Sequence, residues 1–300
     1  MIRCLTIATL LAGAASGAAA QSLPDWIRVD GRLALGYSDR VPGADGFLVG
    51  DALLQFNFGG VGSGLPLGFD LGVYGRADAL DTPHETYGAL TWNFSDTARL
   101  SLGVPRPAYD SFAVSAVELH FPSLGVDRAI STRSEATYGA MFNNYLPYGV
   151  RFENSTGGFR YATSIHTTDT PDRTIASFGI GTELGNWTVE GAVEAGFGGT
   201  TDVSGKLQAR TQIGRFSGGA GLYAPATGTG PELIEGFASY SPIDRLTLSG
   251  VVQVPLSGGS DPTVGLAGRY SLHENAAISA GVISDAGADA SLNAFVDFRF

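Results

Sequence analysis

The stretch 187–197 reads WTVEGAVEAGF and sets the pattern from which the fold of this chain can be inferred. Its odd positions are apolar or small, whereas Glu190 and Glu194 occupy even positions. Successive side chains of a β-strand point to opposite faces, so the stretch predicts a strand with one apolar and one charged face. The end of the chain, 292–300, reads LNAFVDFRF and repeats the pattern, since its charged residues also share one face.

Sixteen segments of this kind follow one another along the chain. They lie at 27–37, 47–58, 66–77, 86–94, 98–104, 147–153, 158–166, 174–184, 187–197, 203–213, 216–223, 231–240, 246–254, 263–270, 276–283 and 291–300. Segment 231–240 is the weakest of them, because Glu235 and Phe237 share one face. Connections after even-numbered segments are short and turn-rich, and those after odd-numbered segments are mostly longer, the longest being 105–146.

The N-terminal segment 1–20 has the features of an export signal. Arg3 precedes an apolar run that ends in three alanines, which match the small-residue pattern of a cleavage site. A membrane anchor helix, the alternative, needs about 20 apolar residues and fits poorly beside such a site. We therefore expect cleavage of this signal peptide and a mature chain of 21–300, which would lack cysteine because Cys4 lies in the removed part.

The composition excludes several classes of protein. The chain of 300 residues is 44% hydrophobic but only 16% charged, with 43 glycines and a formal net charge of −11. Disordered chains combine low hydrophobicity with high charge, and soluble domains are about 25% charged, so neither class fits. The predicted mature chain has no apolar run long enough for a membrane-spanning helix. Its excess of acidic residues also argues against nucleic-acid binding.

Alternating strands with short turns at one end and longer loops at the other are the signature of an outer-membrane barrel. A closed barrel satisfies every strand N–H and C=O group in lipid, which an open sheet does not. The sequence therefore predicts an all-β fold, a transmembrane antiparallel β-barrel of 16 strands, in the bacterial outer membrane. Its apolar side chains would face lipid, and its polar side chains would line a lumen.

Aromatic residues recur on the apolar face beside the short turns. They include Trp92, Trp187, Phe298 and Phe300. An amphipathic ring is stable at headgroup depth, so a row of rings at one end of successive strands indicates a membrane-interface girdle. A soluble β-sandwich would have no reason to collect aromatic residues at one end.

With these features in place, the chain resembles a Gram-negative general porin of the alphaproteobacterial type over essentially the whole predicted mature chain. Local similarity lies in 99–103 (RLSLG) leading into 108–110 (AYD), in 122–127 (PSLGVD) and in the terminal Phe300. The stretch 122–127 partly matches a Pro-acid-aromatic-Gly-Gly-acid motif of the porin third loop, from which Ser123 and Val126 depart.

This resemblance implies several properties. The long third loop, 105–146, would fold inward and narrow the channel as a constriction loop. The chain would form a homotrimer among outer-membrane lipids, and the barrel-assembly machinery would read its C-terminal Phe. The implied function is passive diffusion of ions and small polar solutes.

Charged residues at inward positions would set the preference of such a channel for particular ions. The predicted pore-lining basic cluster comprises Arg28, Arg32, Arg76, Arg99, Arg151 and Arg160. The predicted constriction-loop acids are Asp110, Glu118, Asp127 and Glu135. By resemblance, loop carboxylates facing wall arginines produce a transverse field that favours polar solutes. The alternative is that some arginines only pair with neighbours such as Asp30 and Asp70 and hold the wall together.

Enzymatic function is not expected. Of the four histidines, His84 and His273 are predicted in connections and His120 in the long loop, while His166 shares an inward strand face with Ser164. Barrel phospholipases place a Ser/His pair on the lipid-facing wall instead, and no activating third group can be named from the spacing. The histidine spacing and the absence of thiols predict no metal site, and no cofactor is expected.

Two other functions remain open alongside passive diffusion. One is a substrate-selective channel on the same fold, in which a solute would compete with the ion current. The other is a non-conducting structural barrel or adhesin with a plugged lumen, against which the short loops argue. A secreted β-solenoid would show repeats of 20–30 residues, and the sequence has none.

Overall fold

The computed structural model describes 24, 26–40, 46–58, 66–169, 172–199, 201–226, 230–256, 261–285, 287 and 289–300. The predicted signal peptide lies outside these residues.

Within the described residues the chain forms sixteen strands, each antiparallel to the next. They are β1 (Ile27–Ser38), β2 (Gly46–Asn57), β3 (Leu67–Asp78), β4 (His84–Asn93), β5 (Ala98–Val104), β6 (Tyr148–Thr156), β7 (Phe159–Asp169), β8 (Asp172–Leu184), β9 (Trp187–Phe197), β10 (Asp202–Ile213), β11 (Phe216–Ala224), β12 (Leu233–Ile243), β13 (Leu246–Pro255), β14 (Thr263–His273), β15 (Ala276–Ser284) and β16 (Ser291–Arg299). β1 also pairs with β16, so the barrel is closed. The predicted sixteen-strand antiparallel barrel is confirmed.

The strand boundaries correct the sequence prediction in a few places. His84 and His273 were expected in connections, but His84 begins β4 opposite Gly75, and His273 ends β14 opposite Ala276. The backbone ladder continues at these positions although the alternation of side chains has stopped.

The outer face of the barrel is apolar. Large exposed side chains on it include Leu35, Leu71, Leu90, Val193 and Leu266. On the opposite face of the same strands, polar side chains are buried, among them Glu190, Glu194, Gln208, Glu235, Gln253 and Asp297. This distribution is the reverse of a soluble domain, in which charged residues are seldom buried. It follows the period-two pattern of the sequence.

The inner face also carries apolar side chains, which corrects the expectation that polar residues alone would line it. The buried side chains of Phe47, Val49, Tyr74, Tyr87 and Phe295 form one cluster on β2, β3, β4 and β16. Their partners Val126, Ala129 and Met141 belong to the long connection between β5 and β6. Alternation alone does not reveal this second apolar surface, because its packing partner is not part of the sheet.

The connection 105–146 contains a 3₁₀ helix and four short α-helices. These are the 3₁₀ helix Ala108–Ser111, α1 (Ala116–His120), α2 (Pro122–Asp127), α3 (Ala129–Thr132) and α4 (Glu135–Asn143). Many of its apolar side chains are fully buried, among them Val117, Phe121 and Val126. No helix among the described residues is long and apolar enough to cross a membrane.

Candidate functional site

The connection 105–146 is held at its start by β7. The Nε2 atom of His166 lies 2.9 Å from the Pro105 carbonyl oxygen, and the backbone N–H of Ala108 donates to Ser164 Oγ at 2.9 Å. Both side chains are buried. The Ser/His pair considered as a nucleophile therefore binds backbone groups of the connection, with its face turned inward as the alternation predicted.

An aromatic ring of the connection fills a space that β8 leaves open. A Cβ atom at Gly179 would lie only 2.1 Å from Cδ2 of Phe112, so any larger residue there would displace the ring. The guanidinium of Arg160 lies over the same ring, 4.8 Å from its centroid, and pairs with Glu190. At Gly181, the next inward position, a Cβ atom would lie 3.2 Å from Cγ of Glu190 and 3.5 Å from the same ring.

Glu235 on β12 is a buried acceptor at the start of α1. Its carboxylate accepts from the Ser115 hydroxyl at 2.5 Å and from the Ala116 N–H at 2.8 Å. Gln253 also donates to it, at 2.9 Å. Ser115 is the N-cap of α1, so the carboxylate lies where the helix dipole favours negative charge. Sequence reasoning did not select Glu235 as a functional residue, although the face that it shares with Phe237 departs from the alternation of the other strands.

Glu194 on β9 is a buried acceptor at the start of α4. It accepts from the Ser134 hydroxyl at 2.5 Å and from the backbone N–H of Glu135 at 2.7 Å. Asp110 accepts from the Ser134 N–H at 2.6 Å and from the Thr137 hydroxyl. Two carboxylates, one from the wall and one from the connection, thus satisfy the free N–H groups at this helix end.

Arg133 occupies the middle of the connection. Its guanidinium binds Glu118 through Nε, at 3.2 Å, and through Nη2, and it lies 4.0 Å from the centroid of the Tyr74 ring on β3. Only 5% of its side chain is exposed. Burial alone would lower the pKa of Arg133, but Glu118, Tyr74, Asp110 and Asp51 together outweigh this effect, so the pKa lies well above its ordinary value. The buried charge is therefore compensated, as a buried charge must be.

An ion-pair network joins the connection to the barrel at the end opposite the short turns. It comprises Arg40, Arg76 and Arg128 with Asp78, Asp127 and Asp285. Asp127 of α2 binds both Arg76, at 2.5 Å, and Arg40. Arg40 in turn reaches Asp285 in the last connection at 3.0 Å. Three separate connections are linked here by alternating charges.

The predicted basic cluster is divided among three places. Arg28, Arg99, Arg151 and Arg160 line one cavity of about 560 Å³ beside the short turns. Arg76 belongs to the ion-pair network at the other end of the barrel. Two of the arginines pair with neighbouring wall acids as the alternative interpretation held, since Arg28 contacts Asp30 at 3.4 Å and Arg99 contacts Asp70.

The sixth predicted arginine, Arg32, contacts α1. Its Nη1 atom donates to the Leu119 carbonyl oxygen at 3.0 Å, and its Nε atom lies 3.9 Å from Asp297 on β16. Arg32 therefore lies against the connection and does not line the cavity that four of the other arginines share.

The predicted loop acids each have a positive or hydrogen-bonding partner. The partners of Asp110, Glu118 and Asp127 have been described above, and the carboxylate of Glu135 accepts from Arg173 Nη2 at 3.0 Å. Asp110 is fully buried, so its carboxylate has no contact with open space. The four acids bind within the connection or to the wall around it.

The predicted aromatic residues lie at the short-turn end of the outer face. Trp92 stacks on Phe94 with ring centroids 4.9 Å apart, and Phe216 stacks on Tyr240 at 4.5 Å. Trp187 and Phe298 are both exposed. A Cβ atom at Gly31 would lie 2.8 Å from the Phe300 ring, so the terminal aromatic packs on the first strand.

No family model and no curated protein matches the chain. Proteins of solved structure do match it, and their fold agrees with this architecture. Two engineered variants of Rhodopseudomonas blastica porin superpose on it with TM-scores of 0.68 and 0.67, at 16% and 17% sequence identity. In each case 91% of this chain and 100% of the other are covered. The chain has the porin fold. A further structure of engineered proteins, described by its asymmetric conductivity, superposes with a TM-score of 0.68 at 15% identity.

Within this porin fold, we predict that Glu235→Ala will loosen the connection without opening the barrel. The change leaves the Ser115 hydroxyl and the Ala116 N–H without their buried acceptor, which costs about 1–3 kcal/mol for each such group. Trypsin should then cleave at Arg128 or Arg133 faster than in the wild type, while the folded barrel keeps its electrophoretic mobility. The control is Glu183→Ala, an exposed glutamate near the short-turn end of β8; equal cleavage in both variants would contradict the prediction.

A second prediction concerns pH. Burial, together with the charges of Arg32 and Arg269, lowers the pKa of His120 to about 4 from its ordinary value of 6.5. His120 therefore binds a proton at a higher pH when the connection is detached from the wall than when it is packed against the wall. Because of this difference, the stability of the packed connection decreases progressively as the pH falls from about 6.5 to about 4. In His120→Gln, protease protection of the connection should decrease less over this range than in the wild type. Parallel pH profiles would show that His120 does not contribute.

Proposed function

We propose that the protein is an outer-membrane porin, a channel through which ions and small hydrophilic solutes diffuse passively. The observation that supports this most directly is the closed barrel whose outer face is apolar and whose inner face carries charged groups. A sixteen-stranded barrel is wide enough for an aqueous passage. The likeness to porins of solved structure supports the fold on which such a channel is built.

The location follows from the same proposal. Residues 1–20 serve as a cleaved signal peptide, the barrel-assembly machinery reads the C-terminal Phe300, and the mature chain 21–300 lies in the outer membrane. The exposed apolar band contacts lipid, and the rings of Trp92 and Trp187 mark the membrane interface at the short-turn end. Enzymatic activity and bound cofactors are not part of the proposal.

Charged groups on the inner face determine which solutes pass. Arg28 and Arg160 are the cavity arginines with the greatest exposure, 69% and 51% of their side chains. Glu153 lines the same cavity and pairs with Arg151 at 2.7 Å. In this proposal the connection 105–146 narrows the passage, and anions entering from the short-turn end meet the cavity arginines first.

A homotrimer is the proposed assembly, by resemblance to general porins. The small residues Gly31 and Gly75 on the outer face would allow close packing of subunits, but they also have a role within one chain. A Cβ atom at Gly75 would lie 2.5 Å from the Cβ atom of His84 and 2.5 Å from the Pro83 carbonyl oxygen, so this position is crowded by the neighbouring strand. Current steps that occur in groups of three in a planar bilayer would support the trimer, and isolated single steps would contradict it.

The first test of the proposed function is electrical conductance. We expect the refolded protein to give stepwise ion currents in a planar lipid bilayer, because a sixteen-stranded barrel is wide enough for an aqueous passage. Addition of a solute that competes with the current would favour the substrate-selective alternative. A correctly folded barrel that carries no current in any form would contradict the channel function and favour a structural barrel.

The second test concerns ion selectivity. The double variant Arg28→Ala with Arg160→Ala removes two exposed positive charges from the cavity, so the reversal potential in a salt gradient should shift toward cation selectivity. Arg32 binds the Leu119 carbonyl oxygen and Arg160 lies over the Phe112 ring, so the single variant Arg28→Ala, which removes neither contact, should shift the potential in the same direction and separates loss of charge from a disturbed connection. Arg215→Ala, an exposed arginine in the turn between β10 and β11, is the matched control. An unchanged potential in the double variant would show that these arginines do not face the ion path.

A further inference from the structure

The connection 105–146 contacts apolar surfaces on three sides of the barrel. Val126, Ala129 and Met141 pack against β1 to β4 and β16, as described above. Tyr109 and Phe112 pack against Ala162 on β7 and Ala192 on β9. Val117 and Phe121 pack on a third surface, formed by β12 to β15. A loop that lined one side of a channel would leave the opposite wall free.

The third surface is formed by β12 to β15. Phe121 lies in a buried cluster with Val251 and Ile283, against which Phe237 and Ala267 also pack. A Cβ atom at Gly265 would lie 2.5 Å from Cε2 of Phe121. Like Phe112 beside Gly179, Phe121 occupies the space left by a wall glycine. The two rings fit into separate parts of the wall, on β8 and β14.

Polar contacts fill the interval between the second and the third apolar surface. On β10, Lys206 Nζ donates to the Thr132 carbonyl oxygen at 2.9 Å, and Gln208 Nε2 donates to the Val114 carbonyl oxygen at 2.8 Å. Glu194 and Glu235 bind the two helix starts from β9 and β12. Contact with the wall therefore continues from the surface on β7 and β9 to the surface on β12 to β15.

The middle of the connection is also filled. Arg133 is almost completely buried between Glu118 and the ring of Tyr74. α1 and α2 lie in direct contact, since a Cβ atom at Gly125 would be 2.6 Å from the Cα atom of Glu118. The large cavity lined by the exposed arginines is bounded by Ser111 and Phe112 of the connection, so it lies on one side of it.

We propose that the connection 105–146 is a plug, which closes the lumen in the state described here and must shift before ions or solutes pass. The proposal rests on the proposed channel function, because a plug has meaning only in a barrel that conducts. It differs from a fixed constriction, which narrows a channel but leaves it open. The contacts that must be released are the two aromatic rings in their glycine spaces, the carboxylates at the helix starts and the ion-pair network of Asp127.

The first experiment removes the plug. Gly103 on β5 pairs with Gly149 on β6, so the two strands are adjacent and a short glycine-serine turn can replace 107–144. Single-channel conductance of this variant should exceed that of the wild type by about tenfold or more, since a sixteen-stranded barrel without its plug leaves an aqueous channel. The full-length double variant Phe112→Ala with Phe121→Ala should increase the fraction of time spent open, and it provides the test if the deletion does not fold.

The second experiment fixes the plug in place. A Cβ atom at Gly230 would lie 2.7 Å from Oγ of Ser131 on α3, which places the two Cβ atoms within about 4 Å and inside disulfide range. The double variant Ser131→Cys with Gly230→Cys should lose its current on oxidation and regain it on reduction. Ser131→Cys alone, treated in the same way, is the control. The predicted mature chain has no other cysteine that could interfere.

The outcomes separate the plug from the channel. Wild-type conductance that is steady, equal to that of the deletion variant and unaffected by the oxidised disulfide would overturn the plug and leave the channel function intact. A folded deletion variant without any current would overturn the channel function and the plug with it. Low wild-type conductance together with a large current in the deletion variant would support both.

Discussion

The pairing of β1 with β16 is the constraint on which the rest of the structure depends. The backbone N–H of Gly31 donates to the Phe300 carbonyl oxygen at 3.0 Å, and the N–H of Phe300 donates to the Gly31 carbonyl oxygen at 3.2 Å. Lipid offers no hydrogen-bonding partner, so a sheet with a free edge is not viable there, and closure gives every strand two neighbours. Once the sheet is closed, each strand has one face toward lipid and one toward a confined interior.

That interior explains why so many ionisable groups are buried. Glu194, Glu235 and Arg133 would each be costly to bury alone, because a charge taken out of water needs a partner. Each of them has one: the carboxylates accept from the N–H groups of helix starts, and the guanidinium binds Glu118. The connection 105–146 and the inner wall therefore satisfy each other's polar groups. Neither surface could be buried without the other.

Sequence reasoning identified the elements formed by local alternation. All sixteen strands lie close to their predicted positions, and Glu190, Glu194, Ser164 and His166 lie on the inner face as expected. It did not identify Glu235, because the groups that this carboxylate binds are about 119 residues away in the chain. The inward Phe47 and Phe295 were missed for the same reason, since the apolar surface they contact belongs to the connection.

The sequence by itself determined the strand number, the apolar outer face and the closed barrel, because these follow from side-chain periodicity and from the need of every backbone group for a partner. Only the tertiary structure decided how the charges are distributed. It separated Arg76 from Arg28 by the length of the barrel and placed Arg32 against α1. Periodicity assigns a side chain to a face, whereas its height in the barrel and its partner depend on contacts between residues that are distant in the chain.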